Sequence, residues 1–86
     1  RFAACLYAAA DFLIGGKQYT PDSFLQTGFD GSLENAVPSL RDRLQEAREV
    51  AQEIGGPALK EVQRQARVLS YFECRLKIAQ GTAAKN

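Results

Sequence analysis

From Leu33 onward the apolar positions fall at Leu33, Val37, Leu40, Leu44, Ala47, Ala51 and Ile54, an unbroken alternation of four- and three-residue steps with Val50 alongside. Steps of that kind return to one face of a helix at every turn, so the segment reads as an amphipathic helix with a stripe turned toward another helix. Pro38 lies inside the stripe, and an interior proline removes a hydrogen bond and crowds the preceding turn at a cost of about 3 kcal/mol. The helix is therefore expected to begin afresh at Pro38 or to kink there, and it is placed over residues 38–54, with Ser32 as a candidate N-cap for the turn before it.

Gly55-Gly56-Pro57 ends that helix and opens the next, because proline suits the first helical position and so short a link forces antiparallel neighbours. The last helix, over 57–80, carries Leu59, Val62, Ala66, Leu69, Phe72 and Leu76 on one stripe and Val68, Tyr71, Ile78 and Ala79 on an adjacent one. The first stripe is expected to meet the 38–54 helix and the second to meet an N-terminal helix. At 1.5 Å per residue the last helix is about 36 Å long. Gly81 stops it, and residues 82–86 are expected to fray.

Phe2 to Ile14 is rich in alanine and large apolar residues and runs into Gly15-Gly16, a natural left-handed stop, which predicts a helix over 2–14 with almost no solvated face. Between it and the helical hairpin, Thr20-Pro21-Asp22-Ser23 places a capping hydroxyl before a first-turn proline, predicting a short helix over 21–26 that ends before Gly28. Phe29-Asp30-Gly31-Ser32 reads as a turn. The expected fold is all-α: one domain over 1–86, a small helical bundle of three main helices with an antiparallel αα-hairpin and one short extra helix. No internal repeat or low-complexity linker divides it.

Size limits the core, since a chain of 86 residues buries only roughly 60 to 65% of the surface its unfolded form exposes. The chain contains no methionine and starts at Arg1, so Arg1 is expected to be a processing site, a cut end of a longer chain or the edge of an ordered region; whether an export or organelle-targeting segment precedes it, and in which compartment the protein sits, is not legible. Phe2 to Ile14 also resembles a short targeting core, but it is too short to span a bilayer and Asp11 interrupts it, so no transmembrane segment is expected.

Net charge is +1, yet it is unevenly placed: residues 21–54 carry −4 and residues 60–86 carry +4. The simplest expectation is that the acidic and basic arms of the helical hairpin attract each other across their seam. The alternative is a basic docking strip on the last helix, built from Lys60, Arg64, Arg67, Arg75 and Lys77 and interrupted by Glu61 and Glu73.

Chemistry has few places to sit. Histidine is absent, which removes the commonest general base and metal ligand. Cys5 and Cys74 lack the spacing and companions of a zinc site, and lie on helices expected to pack together, so they are either two buried thiols or one disulfide. Neither glycine pair matches a phosphate-binding loop. Ser23, Ser32, Ser39 and Ser70 have no base nearby in sequence. No cofactor and no metal are expected.

Three functional classes remain. The first is a non-catalytic interaction module or accessory subunit, packing on another protein or on itself, suggested by apolar surface in excess of what so small a domain covers. Its interface candidates are Phe2, Leu6, Tyr7 and Leu13 on the first helix, with Tyr71, Arg75 and Ile78 on the last. The second is a nucleic-acid-binding domain using Lys60, Arg64 and Arg67, disfavoured by the near-neutral charge. The third is a small all-helical enzyme clamping an anionic substrate with arginines and glutamines drawn from positions 41, 43, 45, 48, 63, 64, 65 and 67.

Overall fold

A computed structural model describes residues 11–81. They form β1 (Phe12–Ile14), β2 (Lys17–Tyr19), α1 (Pro21–Phe29), α2 (Leu33–Ile54) and α3 (Pro57–Ala79). The fold is small and mostly helical, with a two-stranded antiparallel sheet at its start. The long helices α2 and α3 form the expected antiparallel hairpin, and α1 is the short extra helix.

The first correction concerns the helix placed over 2–14. Residues 2–10 lie outside the described residues, and its last turn is strand β1. Gly15 and Gly16 both have positive φ, at 59° and 81°, and they join β1 to β2 in a two-residue turn pairing Ile14 with Lys17 and Phe12 with Tyr19. Consecutive positive-φ residues match the right-handed twist of paired strands, which is why Gly-Gly serves here as a hairpin turn rather than a helix stop. Strand alternation then sends Phe12 into the core, fully buried, and leaves Leu13 36% exposed.

Helix α1 starts as expected. The Thr20 hydroxyl accepts from the Ser23 N–H at 3.0 Å, and the Ser23 hydroxyl accepts from the Thr20 N–H at 2.9 Å, a reciprocal cap that satisfies two donors at once. It ends three residues later than expected, running through Gly28 to Phe29. Phe24 and Leu25 are buried and Phe29 packs against the core, so extending the helix by one turn brings a further aromatic into contact. Asp30 closes it in the left-handed conformation with φ 53°, and the Gly31 N–H returns to the Leu25 carbonyl at 3.0 Å.

Helix α2 also departs from expectation. It begins at Leu33, capped by the Ser32 hydroxyl at 3.3 Å from the Asn35 N–H, and continues through Pro38 to Ile54. Ala36 and Val37, just before the proline, are buried, and their packing offsets the lost hydrogen bond. Helix α3 ends at Ala79, one residue short of the expected boundary.

The core lies where the β-hairpin and α1 cover one side of the α2–α3 pair. Phe12 meets Phe24 edge-on with centroids 5.4 Å apart, and Phe24 stacks on Phe72 at 6.2 Å. Leu40 and Leu44 from α2 and Val68 and Leu69 from α3 complete the cluster. Val68, assigned from sequence to a stripe facing an N-terminal helix, is fully buried on the side of α3 that β1 contacts. Leu59, expected in the seam, is 45% exposed.

The expected attraction between acidic and basic arms across the seam does not occur. The seam is apolar, and the ion pair that crosses it has the opposite polarity: α2 supplies the cation and α3 the anion, with Arg41 Nη2 2.7 Å from Glu73 Oε2.

Candidate interaction surfaces

Two side chains one turn apart on α3 hold β1. The Leu13 N–H donates to Glu61 Oε2 at 2.7 Å, and Gln65 Nε2 donates to the Leu13 carbonyl at 2.8 Å. The i, i+4 spacing puts both on the side of α3 that faces the hairpin. Gln65 is 7% exposed, and its Oε1 is enclosed without a hydrogen-bond partner among the described residues, a state that costs about 1 to 3 kcal/mol.

Among the described residues the hairpin turns at Gly15 and Gly16 and leaves the rest of the α2–α3 groove open. There a cleft of about 630 Å³ is lined by Ile14 and Gly15 at the hairpin tip, by Ala47 and Val50 from α2 and by Ala58 and Val62 from α3, together with the polar side chains of Arg43, Glu46, Glu61 and Gln65. Val50 is 53% exposed and Ile54, one turn further along α2, is 68% exposed. Single exposed aliphatic residues are ordinary, but two on neighbouring turns beside an apolar cleft form a patch.

The charged residues gather on the outer faces of the two long helices. On α2, Asp42, Glu46, Glu49 and Glu53 recur in steps of four, three and four and are all exposed; on α3, Lys60, Arg64 and Arg67 do the same in steps of four and three. At 3.6 residues per turn each set lies opposite its helix's seam. Apart from Arg64, whose Nη1 is 3.4 Å from Glu61 Oε1, these side chains make no ion pair among the described residues. Like charges at such spacings destabilise a helix by about 0.2 to 0.5 kcal/mol per pair. Of the two acids that interrupt the basic strip in sequence, Glu73 is turned out of it toward Arg41, whereas Glu61 divides its carboxylate between the Leu13 N–H and Arg64.

The sequence-assigned interface residues are only partly brought together. Phe2, Leu6 and Tyr7 lie outside the described residues. Leu13 and Ile78, both 36% exposed, are on different elements. Tyr71 and Arg75 share a face of α3, the guanidinium 5.4 Å from the ring centroid and 3.8 Å from Asp22 Oδ1, so these two are occupied within the chain. Lys60, Arg64 and Arg67 do converge, with Gln63, around one shallow depression. Of the arginine and glutamine set suited to clamping an anion, Gln63, Arg64 and Arg67 share that depression, while Arg41 engages Glu73, Arg43 borders the cleft and Gln65 is held by Leu13. Cys74 is half-buried on α3; Cys5, its candidate disulfide partner, lies outside the described residues. Among the described residues no group of acidic or cysteine side chains is arranged to hold a metal ion, and no helix is long and apolar enough to cross a membrane.

Sequence reasoning placed Ile54 on the α2 stripe turned toward another helix and Val50 alongside it. What exposes them is the length of the hairpin that covers the groove, which the pattern of α2 does not contain.

No family model matches the chain, and no curated protein and no solved structure matches it.

Proposed function

We propose that this chain is a non-catalytic helical interaction module, an accessory subunit that seats the open half of its α2–α3 groove on another protein. The observation that carries this reading is the exposure of Val50 and Ile54 beside a cleft walled by Ala47, Ala58 and Val62. An apolar side chain from a partner would remove these groups from water at a gain of about 25 cal/mol per Å² of apolar surface covered. The test is purification from the native source in mild salt, comparing the wild-type chain with the Val50→Asp/Ile54→Asp variant. Stoichiometric co-elution of the wild type with a second protein, lost in a variant that keeps its helicity and melting temperature, supports the reading. A wild-type chain that elutes alone overturns it. The same material tests the pairing of Cys5 with Cys74, for which both thiols resist alkylation until reduced.

A second reading, nucleic-acid binding through α3, is favoured by one observation: Lys60, Arg64 and Arg67 gather around one shallow depression while Glu73 is turned away toward Arg41. Three phosphate contacts give a binding constant falling with salt at a log–log slope of about −2 to −3. No salt dependence, or none lost on Arg64→Ala/Arg67→Ala, excludes it.

A further inference from the structure

The acidic stripe on α2 and the basic stripe on α3 lie on opposite edges of the described part of the molecule, and apart from the Arg64–Glu61 contact neither is paired among the described residues. Both repeat in the same four-three steps, over about 16 Å on α2 and about 10 Å on α3 at 1.5 Å per residue. An isolated helix gains nothing from such a distribution, because each stripe sets like charges on adjacent turns. A polyanion would account for the basic stripe alone and leave the acidic one unexplained. An occupant that accounts for both must carry a cationic helix face for α2 and an anionic helix face for α3, at matching spacing, and the chain itself carries both.

We propose that copies of this chain associate head to tail, the acidic α2 face of one docking on the basic α3 face of the next. The contact is heterologous: each copy uses one patch to bind and a different patch to be bound, so assembly closes into a ring or extends as a filament according to the rotation per step. Exposed charge pairs are individually weak and screened, so the association is salt-sensitive and concentration-dependent. Of its residues only Glu46 also borders the open groove, and the Val50→Asp/Ile54→Asp variant below separates this association from the partner proposed for that surface.

The experiment is sedimentation velocity of the full chain over a concentration series, in about 0.02 M and about 1 M salt, conditions in which screening lengths differ by several-fold. The expected result is a weight-average mass that rises with concentration at low salt, to twice the single-chain value or more, and returns to one chain at high salt. The Lys60→Glu/Arg64→Glu/Arg67→Glu variant, whose two edges are both acidic, stays at the mass of one chain. So does Glu46→Lys/Glu49→Lys/Glu53→Lys, whose acidic edge becomes basic. An equal mixture of the two variants recovers association, and carbodiimide cross-links formed between isotope-labelled and unlabelled wild-type chains join Lys60 to Glu46, Glu49 or Glu53. All the substituted positions are exposed, and circular dichroism checks that each variant is folded. The Val50→Asp/Ile54→Asp variant associates as the wild type does. Wild-type chain that stays at single-chain mass at every concentration in low salt overturns the proposal, as does a mixture that fails to recover association. A monomeric wild type that binds a labelled single-stranded oligonucleotide also overturns it and returns the basic stripe to the nucleic-acid reading.

Discussion

Leu13 has both of its outward backbone groups satisfied by side chains of α3, its carbonyl by Gln65 at 2.8 Å and its N–H by Glu61 at 2.7 Å. Leu13 stands opposite Gln18 in the middle of a three-residue strand, one place from the pair that closes the two-residue turn. In an antiparallel pair the groups of that position point away from the neighbouring strand. Helix α3 therefore supplies, from one amide and one carboxylate, what a third strand would supply from its backbone, and the free edge of β1 is blunted. A hairpin of three-residue strands is marginal by itself, so these two bonds, the burial of Phe12 and the packing of Ile14 and Tyr19 against the core hold it in place.

Removing either partner of Leu13 should loosen the hairpin before the rest of the molecule. Gln65→Leu leaves the part-buried Leu13 carbonyl without its donor, a cost of about 1 to 3 kcal/mol that loss of the unpaired Gln65 Oε1 partly offsets, while Glu61→Gln keeps an acceptor in place and costs less than about 1 kcal/mol. Urea denaturation measures the totals, and hydrogen exchange at β1 and β2 localises them. Equal effects of the two substitutions would show that the bonds to Leu13 are not what secures the strand.

Substitutions at Gly15 discriminate the observed turn from the helix stop that the sequence suggests. With φ at 59° and open space where a Cβ would stand, Gly15→Ala pays only the left-handed penalty of about 1 to 2 kcal/mol, and Gly15→Asn, suited to the first position of such a turn, pays less. A single helical Gly15 would reverse the sign for alanine, raising stability by about 0.5 to 1 kcal/mol. The sign of the change in melting temperature decides.

The long helices were legible because each carries an apolar period sustained for many turns, which few other structures satisfy. The hairpin was not, for physical reasons particular to Phe12, Ile14 and Tyr19. Strands of three residues are too short to display alternation, the alanine-rich run upstream of Asp11 favours helix, and Gly-Gly serves equally well to end a helix or to turn a hairpin. The open groove followed from the same gap, since Val50 and Ile54 match the period of a buried face and only the reach of the hairpin exposes them. Charge was misread through its partners: sign along the chain predicts attraction between arms, but the faces of α2 and α3 that carry the charge are turned away from each other.

The aromatic cluster should be the least tolerant part of the molecule. At typical per-residue values the whole chain is stable by about 4 to 13 kcal/mol, and Phe72→Ala removes about 3 to 5 kcal/mol from a ring that is fully buried and stacked on Phe24. Most of the fold's margin is lost, and circular dichroism at 37 °C should show a substantially unfolded population. Val50→Ala, at an exposed position, should change stability by no more than about 0.5 kcal/mol. If Val50→Ala proves as costly as Phe72→Ala, the patch is structural and not a docking surface.

Pro38 offers a gain. It is exposed inside α2, where its ring displaces the bond that an N–H at this position would make to the Glu34 carbonyl. Pro38→Ala restores the donor and the best helix-forming side chain, worth up to about 3 kcal/mol. Against this, alanine gives the unfolded chain more freedom than proline does, at about 0.4 to 1 kcal/mol, so the expected net effect is stabilisation by about 2 kcal/mol, read as a higher denaturation midpoint with unchanged slope. A loss of stability would mean that the proline's fixed φ sets the direction in which Ala36 and Val37 enter the core, and that the first turn of α2 is held by its proline and not in spite of it.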